Sequence, residues 1–147
     1  MDGYYKYIRM VLVHKKKMDR QLDKVIRAEN KLLDNPEFSK KILITHSNHN
    51  TYEKLLINWQ DEKYVYERMQ NRLPQIEKKV EHFIFTFAKD EEEATILIYK
   101  YIDGFSAFEI SEKMGFAYGT VRNRISKADK KGKLYYEKMI FLNKAPP

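Results

Sequence analysis

Apolar side chains recur every three or four residues along most of this chain, the spacing of helices that bury one face. From residue 8 to residue 33 the positions Ile8, Val11, Leu12, Met18, Leu22, Val25, Ile26, Leu32 and Leu33 keep that spacing, and Asn35-Pro36 reads as a stop. The pattern predicts one long helix or two. A short apolar run at 42–44 takes no assignment, and the polar cluster of residues 45–50 reads as a loop. From Tyr52 onward Leu55, Trp59, Tyr66, Met69, Leu73, Ile76, Val80, Phe83 and Phe87 fall at alternating steps of three and four, with Glu62 the one polar interruption. This is heptad spacing, suited to a neighbouring helix of the same chain or to a second copy. Pro74 lies inside the stripe and predicts two helices or one kinked helix.

Three short helices follow, and their ends are written in capping chemistry. Asp90 with Glu93 reads as a capping box opening a helix over 91–102, which buries Ala94, Leu97, Ile98 and Tyr101 and stops at Asp103-Gly104. Ser106 with Glu109 is a second box, and Phe105 with Ile110 a hydrophobic staple, so the next helix covers 107–114 and ends at Gly115. Phe116-Ala117 make the turn. The third helix starts near Tyr118 and turns Val121, Ile125 and Ala128 toward a core shared with Ile110, Met114 and Phe116.

Charge sharpens this picture. Lys and Arg number 28 against 21 Asp and Glu among 147 residues, a net +7 that favours a polyanionic partner. The excess is uneven: residues 90–112 carry a net −6 and residues 117–133 a net +5. Hydrophobic residues make up 43 %, too many for a wholly disordered chain. With no cysteine there is no disulfide, thiolate zinc site or thiol nucleophile. His46 and His49 stand three apart without a third ligand nearby, and no glycine-rich phosphate loop or GxSxG elbow occurs, so neither a metal, a cofactor nor an enzymatic role is expected. No run of apolar residues is long enough to span a membrane, and Arg9 interrupts what would be a signal peptide's apolar stretch. The expectation is a cytoplasmic protein.

A short capped helix, a tight turn and a basic helix form the layout of a helix-turn-helix, whose second helix enters the DNA major groove. Arg122 has the fork of donors that guanine O6 and N7 accept, and Asn123 can donate to and accept from adenine. Gly119 permits close backbone approach, and Ser126 lies on the same outward face. Lys127, Lys130 and Lys131 have the charge and reach for phosphates, which give affinity and register without sequence information. Glu91, Glu92 and Glu93 must then point away from DNA. Tyr4, Tyr5 and Tyr7 beside Lys6 and Arg9 read either as an extra basic arm or as the start of a packed helix.

The run from Tyr101 to Ile125, most specifically Glu109-Ile110 through Gly115 to Gly119-Thr120-Val121, resembles the region-four helix-turn-helix of bacterial sigma factors and the related C-terminal domains of small phage transcriptional regulators of the ArpU and RinA type. The resemblance implies base contacts from Tyr118, Gly119, Arg122 and Asn123, and backbone contacts from Thr120, Arg124 and Lys127. Ser111 stands where a small Ala is usual, and Ala117 where Ser or Thr usually caps the recognition helix. Residues 1–89 show no promoter-melting domain, so the layout is closer to the phage regulators than to a complete sigma factor.

The expected architecture is all-α: a helical bundle or coiled-coil-like region over 1–89 for dimerisation or partner binding, then a three-helix helix-turn-helix domain over 90–140. The expected function is sequence-specific regulation of transcription by a homodimer on double-stranded DNA. The alternative is a modulator that uses the sigma-like domain for contacts with RNA polymerase or other host machinery.

Overall fold

A computed structural model describes residues 3–36 and 49–142. The unassigned run at 42–44, His46 and most of the expected loop lie outside them. Every regular element among the described residues is a helix: α1 (Gly3–Ile8), α2 (Met10–Leu33), α3 (His49–Phe87), α4 (Glu91–Tyr101), α5 (Ala107–Met114) and α6 (Tyr118–Phe141). Helix α2 is the long helix expected over 8–33, and α1 precedes it across a turn at Arg9. His49 and Asn50, expected in the loop, already belong to α3. Helix α3 runs through Pro74 unbroken. Pro74 is exposed, where the carbonyl that loses its partner can turn to water.

The chain divides into two compact units. One comprises His14–Arg72 and the other Met1–Val13 with Leu73–Pro147. In the second unit, the core around the C-terminal helices is completed by α1 and by the end of α3.

In the His14–Arg72 unit, α2 and α3 pack as an antiparallel hairpin. The α3 stripe is partly covered here at Leu55, Trp59, Glu62, Tyr66 and Met69, and on α2 Met18 and Val25 are partly covered and Ala28 and Leu32 buried. The heptad stripe therefore has its neighbour within the same chain. Glu62 is matched: Gln21 Nε2 donates to its carbonyl at 2.9 Å and to its Oε2 at 2.7 Å. His14 Nε2 lies 2.8 Å from the Met69 carbonyl. Two polar seam positions thus fix one register, since a slip would leave Gln21 and Glu62 without partners.

The other unit is built on aromatic packing. Tyr4, Ile8 and Val11 bury against Val80, Phe83, Ile84 and Phe87 of α3 and Ala94, Leu97 and Tyr101 of α4. Tyr7 meets Phe83 edge to face at 4.9 Å, and Phe83 meets Phe87 at 5.1 Å, the offset geometries that aromatic quadrupoles favour. Of the two readings of the tyrosine-rich start, the packed helix is the one found. A smaller cluster of Ile96, Ile110, Val121 and Ile125, flanked by Phe105, Met114 and Phe116, holds α4, α5 and α6 together. Ile98 is only partly covered, while Ile96, not expected in the core, is buried because it faces this second cluster.

Candidate nucleic-acid interface

The geometry of the site begins with its caps. Asp90 accepts from Glu93 N at 2.8 Å and opens α4. The reciprocal half of that box is displaced: the Glu93 carboxylate accepts from Lys89 N and pairs with Lys131 Nζ at 2.9 Å. In α5 the box is complete, with Glu109 N donating to Ser106 Oγ at 3.2 Å and Ser106 N donating to Glu109 Oε1 at 3.3 Å. Gly115 then takes φ +72°, a left-handed conformation that stops α5 and that a Cβ would strain. Ser111 is buried, and its Oγ donates to the Phe108 carbonyl at 2.6 Å, so the hydroxyl in place of a methyl is satisfied within its own helix.

Ala117 caps α6 in extended conformation without a side-chain hydrogen bond, leaving the first-turn N–H groups of the recognition helix unclaimed. Along α6, Val121, Ile125, Ala128, Asp129 and Gly132 are buried. The expected base-facing residues Tyr118, Gly119, Arg122, Asn123 and Ser126 are all exposed, as are Thr120, Lys127 and Lys130. The Arg122 guanidinium lies 5.6 Å from the centroid of the Tyr118 ring, one turn back, which limits the rotamers it samples. A shallow pocket lined by Tyr5, Lys100, Ala107, Arg122, Ile125, Ser126, Asp129 and Lys130 brings three cations beside the start of α5. The positive end of that short helix adds to their field.

Arg124 and Lys131 sit apart from this face. Both are half-buried and ion-paired to α4, Arg124 with Glu92 and Lys131 with Glu93, in a groove that also includes Lys89, Asp90 and Lys127. The acidic start of α4 is thus turned onto the flank of α6 and neutralises two of its cations.

One part of the site escaped the sequence reading. Asp129, the single acid of residues 117–133, is buried and accepts from Tyr4 Oη at 2.8 Å and from Tyr101 Oη at 2.9 Å. Burial raises its carboxyl above the usual range, against the opposing pull of the two tyrosines, Lys100 and Arg9. Beside it, a Cβ on Gly132 would lie 2.7 Å from Tyr4 Cε2 and 2.8 Å from Phe87 Cε2, so glycine lets both rings reach the helix backbone. The signal was present as spacing, because Asp129 and Gly132 continue the buried face of Val121, Ile125 and Ala128.

Residues 90–131 match the family model described as sigma-70, region 4. This segment is a sigma region-four-like helix-turn-helix. Region 4 is a DNA-binding regulatory module, and the matched residues span α4, α5 and the first half of α6, where the exposed Arg122 and Asn123 lie. Comparison with curated proteins and with solved structures returned no match. Among the described residues no helix is long and apolar enough to cross a membrane, and no three His, Cys, Asp or Glu side chains gather as metal ligands.

Proposed function

We propose that the protein is a sequence-specific transcriptional regulator that reads the DNA major groove with the first two turns of α6. The observation that carries this reading is the exposure of Tyr118, Gly119, Arg122, Asn123 and Ser126 on one face of a region-four recognition helix whose opposite face is locked in the core. In this reading Arg122 and Asn123 supply base-edge hydrogen bonds. Thr120, Lys127 and Lys130 hold the phosphates. Arg124 and Lys131 reach phosphates only by leaving Glu92 and Glu93. A phage origin is supported by layout alone: a helical N-terminal half and one region-four module.

A second reading, contact with RNA polymerase, is favoured by one observation: Phe108 on α5 is 59 % exposed beside the same helix-turn-helix. Selection of bound sequences from a random duplex pool, at two salt concentrations, tests both. An enriched motif supports the DNA reader, and a paired motif supports a homodimer. Recovery without enrichment, together with co-elution with polymerase on a sizing column, supports the second reading.

A further inference from the structure

The His14–Arg72 unit carries a charge pattern that its packing does not use. On α2, residues 17, 20, 24, 27 and 31 follow one another at steps of three and four and fall within an arc of about 80° at 100° per residue. They are Lys17, Arg20, Lys24, Arg27 and Lys31. Between residues 14 and 33 no other position lies in that arc, so this side of the helix is cationic throughout. All five side chains are exposed, and among the described residues none of them is ion-paired. Of the acids of the helix, Asp19 and Glu29 lie on other sides, and Asp23 borders the arc, where Arg27 Nε donates to its carbonyl at 3.3 Å. Lys24, Arg27 and Lys31 open onto a groove shared with Ala28, Asn58 and Glu62, and the one carboxylate there is held by Gln21.

We infer that this ridge is a second, sequence-independent contact for the phosphate backbone of duplex DNA. Five like charges on one helix side repel one another, and none of them is ion-paired within the described residues, so their arrangement fits an external anion. The ligand must be extended. The ridge is about 21 Å long at 1.5 Å per residue. Duplex DNA presents one phosphate about every 3.4 Å of axis on each strand, and because the strand winds away from a straight ridge, about two or three of its phosphates lie within reach at once. A compact anion would meet only one or two of the five cations. The choice of DNA as ligand rests on the reading proposed above.

The test is a salt titration of the full chain on a random-sequence duplex and on any selected sequence, comparing wild type with a variant carrying Lys17→Gln, Arg20→Gln, Lys24→Gln, Arg27→Gln and Lys31→Gln. Glutamine keeps helix propensity, and circular dichroism checks the fold; a Lys17→Gln, Lys24→Gln, Lys31→Gln variant serves if the fivefold change unfolds it. Each phosphate contact contributes about 0.9 to the slope of log K against log salt, so the fivefold variant should lose at least about 2 in slope. Its ratio of selected to random binding should stay unchanged. Wild-type and variant slopes that coincide on DNA overturn the inference, and so does loss of an acidic protein partner with the DNA slope intact. The two readings fail separately. A wild type that selects no sequence but whose random binding still depends on the ridge removes the base-reading role of α6 and upholds the ridge.

Discussion

Tyr4 donates its hydroxyl to Asp129 at 2.8 Å, joining the first helix of the chain to the helix that presents Arg122 and Asn123. Tyr101 donates to the same carboxylate, so one buried acid gathers α1, α4 and α6. Both tyrosines reach Oδ1, and an amide oxygen at that position can accept both bonds. Asp129→Asn should therefore leave stability within about 1 kcal/mol of wild type, since it also removes a buried charge. Asp129→Ala strands two buried hydroxyls at about 1–3 kcal/mol each. Urea unfolding of the two variants decides: equal losses would mean that the carboxylate oxygens do not organise this core.

The same cluster sets an alkaline limit. Burial and the neighbouring Asp129 push the hydroxyl pKa values of Tyr4 and Tyr101 well above the usual tyrosine value. Above about pH 10 the unfolded chain releases these protons and the folded one keeps them, so stability falls as pH rises. The slope is about 1.4 kcal/mol per pH unit for each tyrosine. Stability measured between pH 8 and pH 11 should show this decline, to which Tyr7, also raised by burial, contributes, and Tyr4→Phe should remove part of it. An identical decline in that variant would assign the effect to other groups.

Two glycines of α6 should respond in opposite senses. At Gly132 a methyl group meets the Tyr4 and Phe87 rings at 2.7 and 2.8 Å, so Gly132→Ala should destabilise by about 1–3 kcal/mol despite better helix propensity. At Gly119 a Cβ meets nothing within 4 Å, and Gly119→Ala should stabilise by about 0.5–1 kcal/mol. If the backbone there approaches DNA, that variant should bind more weakly while being more stable. Thermal unfolding and duplex titration of the same preparations check both halves.

Which parts of this architecture were legible follows from the range of the interactions. The helix over 107–114 was readable to the residue because Ser106, Glu109, Phe105, Ile110 and Gly115 act within one or two turns of each other. Glu62 was visible as an interruption of its stripe, but its partner Gln21 depends on the register of two antiparallel helices. Asp129 was hidden because its burial is completed by a tyrosine 125 residues away. The displaced Asp90–Glu93 box has the same origin: Glu93 has two further suitors, Lys89 N and Lys131, and Lys131 comes close only after α6 folds onto α4.

On the proposed reading, the pairing of Arg124 with Glu92 should make the acidic start of α4 a brake on DNA binding. Glu92→Gln removes an anion from the flank of α6 and releases the guanidinium, without touching the cap formed by Asp90 and Glu93. Binding to selected and random duplexes should tighten by the same factor, and the salt slope should steepen by about 0.9 if Arg124 gains one phosphate. A tighter complex with an unchanged slope would show relief of repulsion alone.

Arg122 and Lys130 share the exposed side of α6, yet they should fail in different ways. Arg122 stands in the second turn with its guanidinium near the Tyr118 ring, where a fork of donors can meet one guanine edge. Arg122→Ala should cost about 1–3 kcal/mol on the selected sequence and relax preference at one base pair, with little change on random duplex. Lys130 stands two turns further along, beyond the residues expected to enter the groove, and lines the pocket with Lys100 at the start of α5. Lys130→Ala should weaken all sequences alike and lower the salt slope by about 0.9. Equal losses on selected and random duplexes for Arg122→Ala would remove it as a base reader and leave Asn123 as the principal base-reading side chain of this helix.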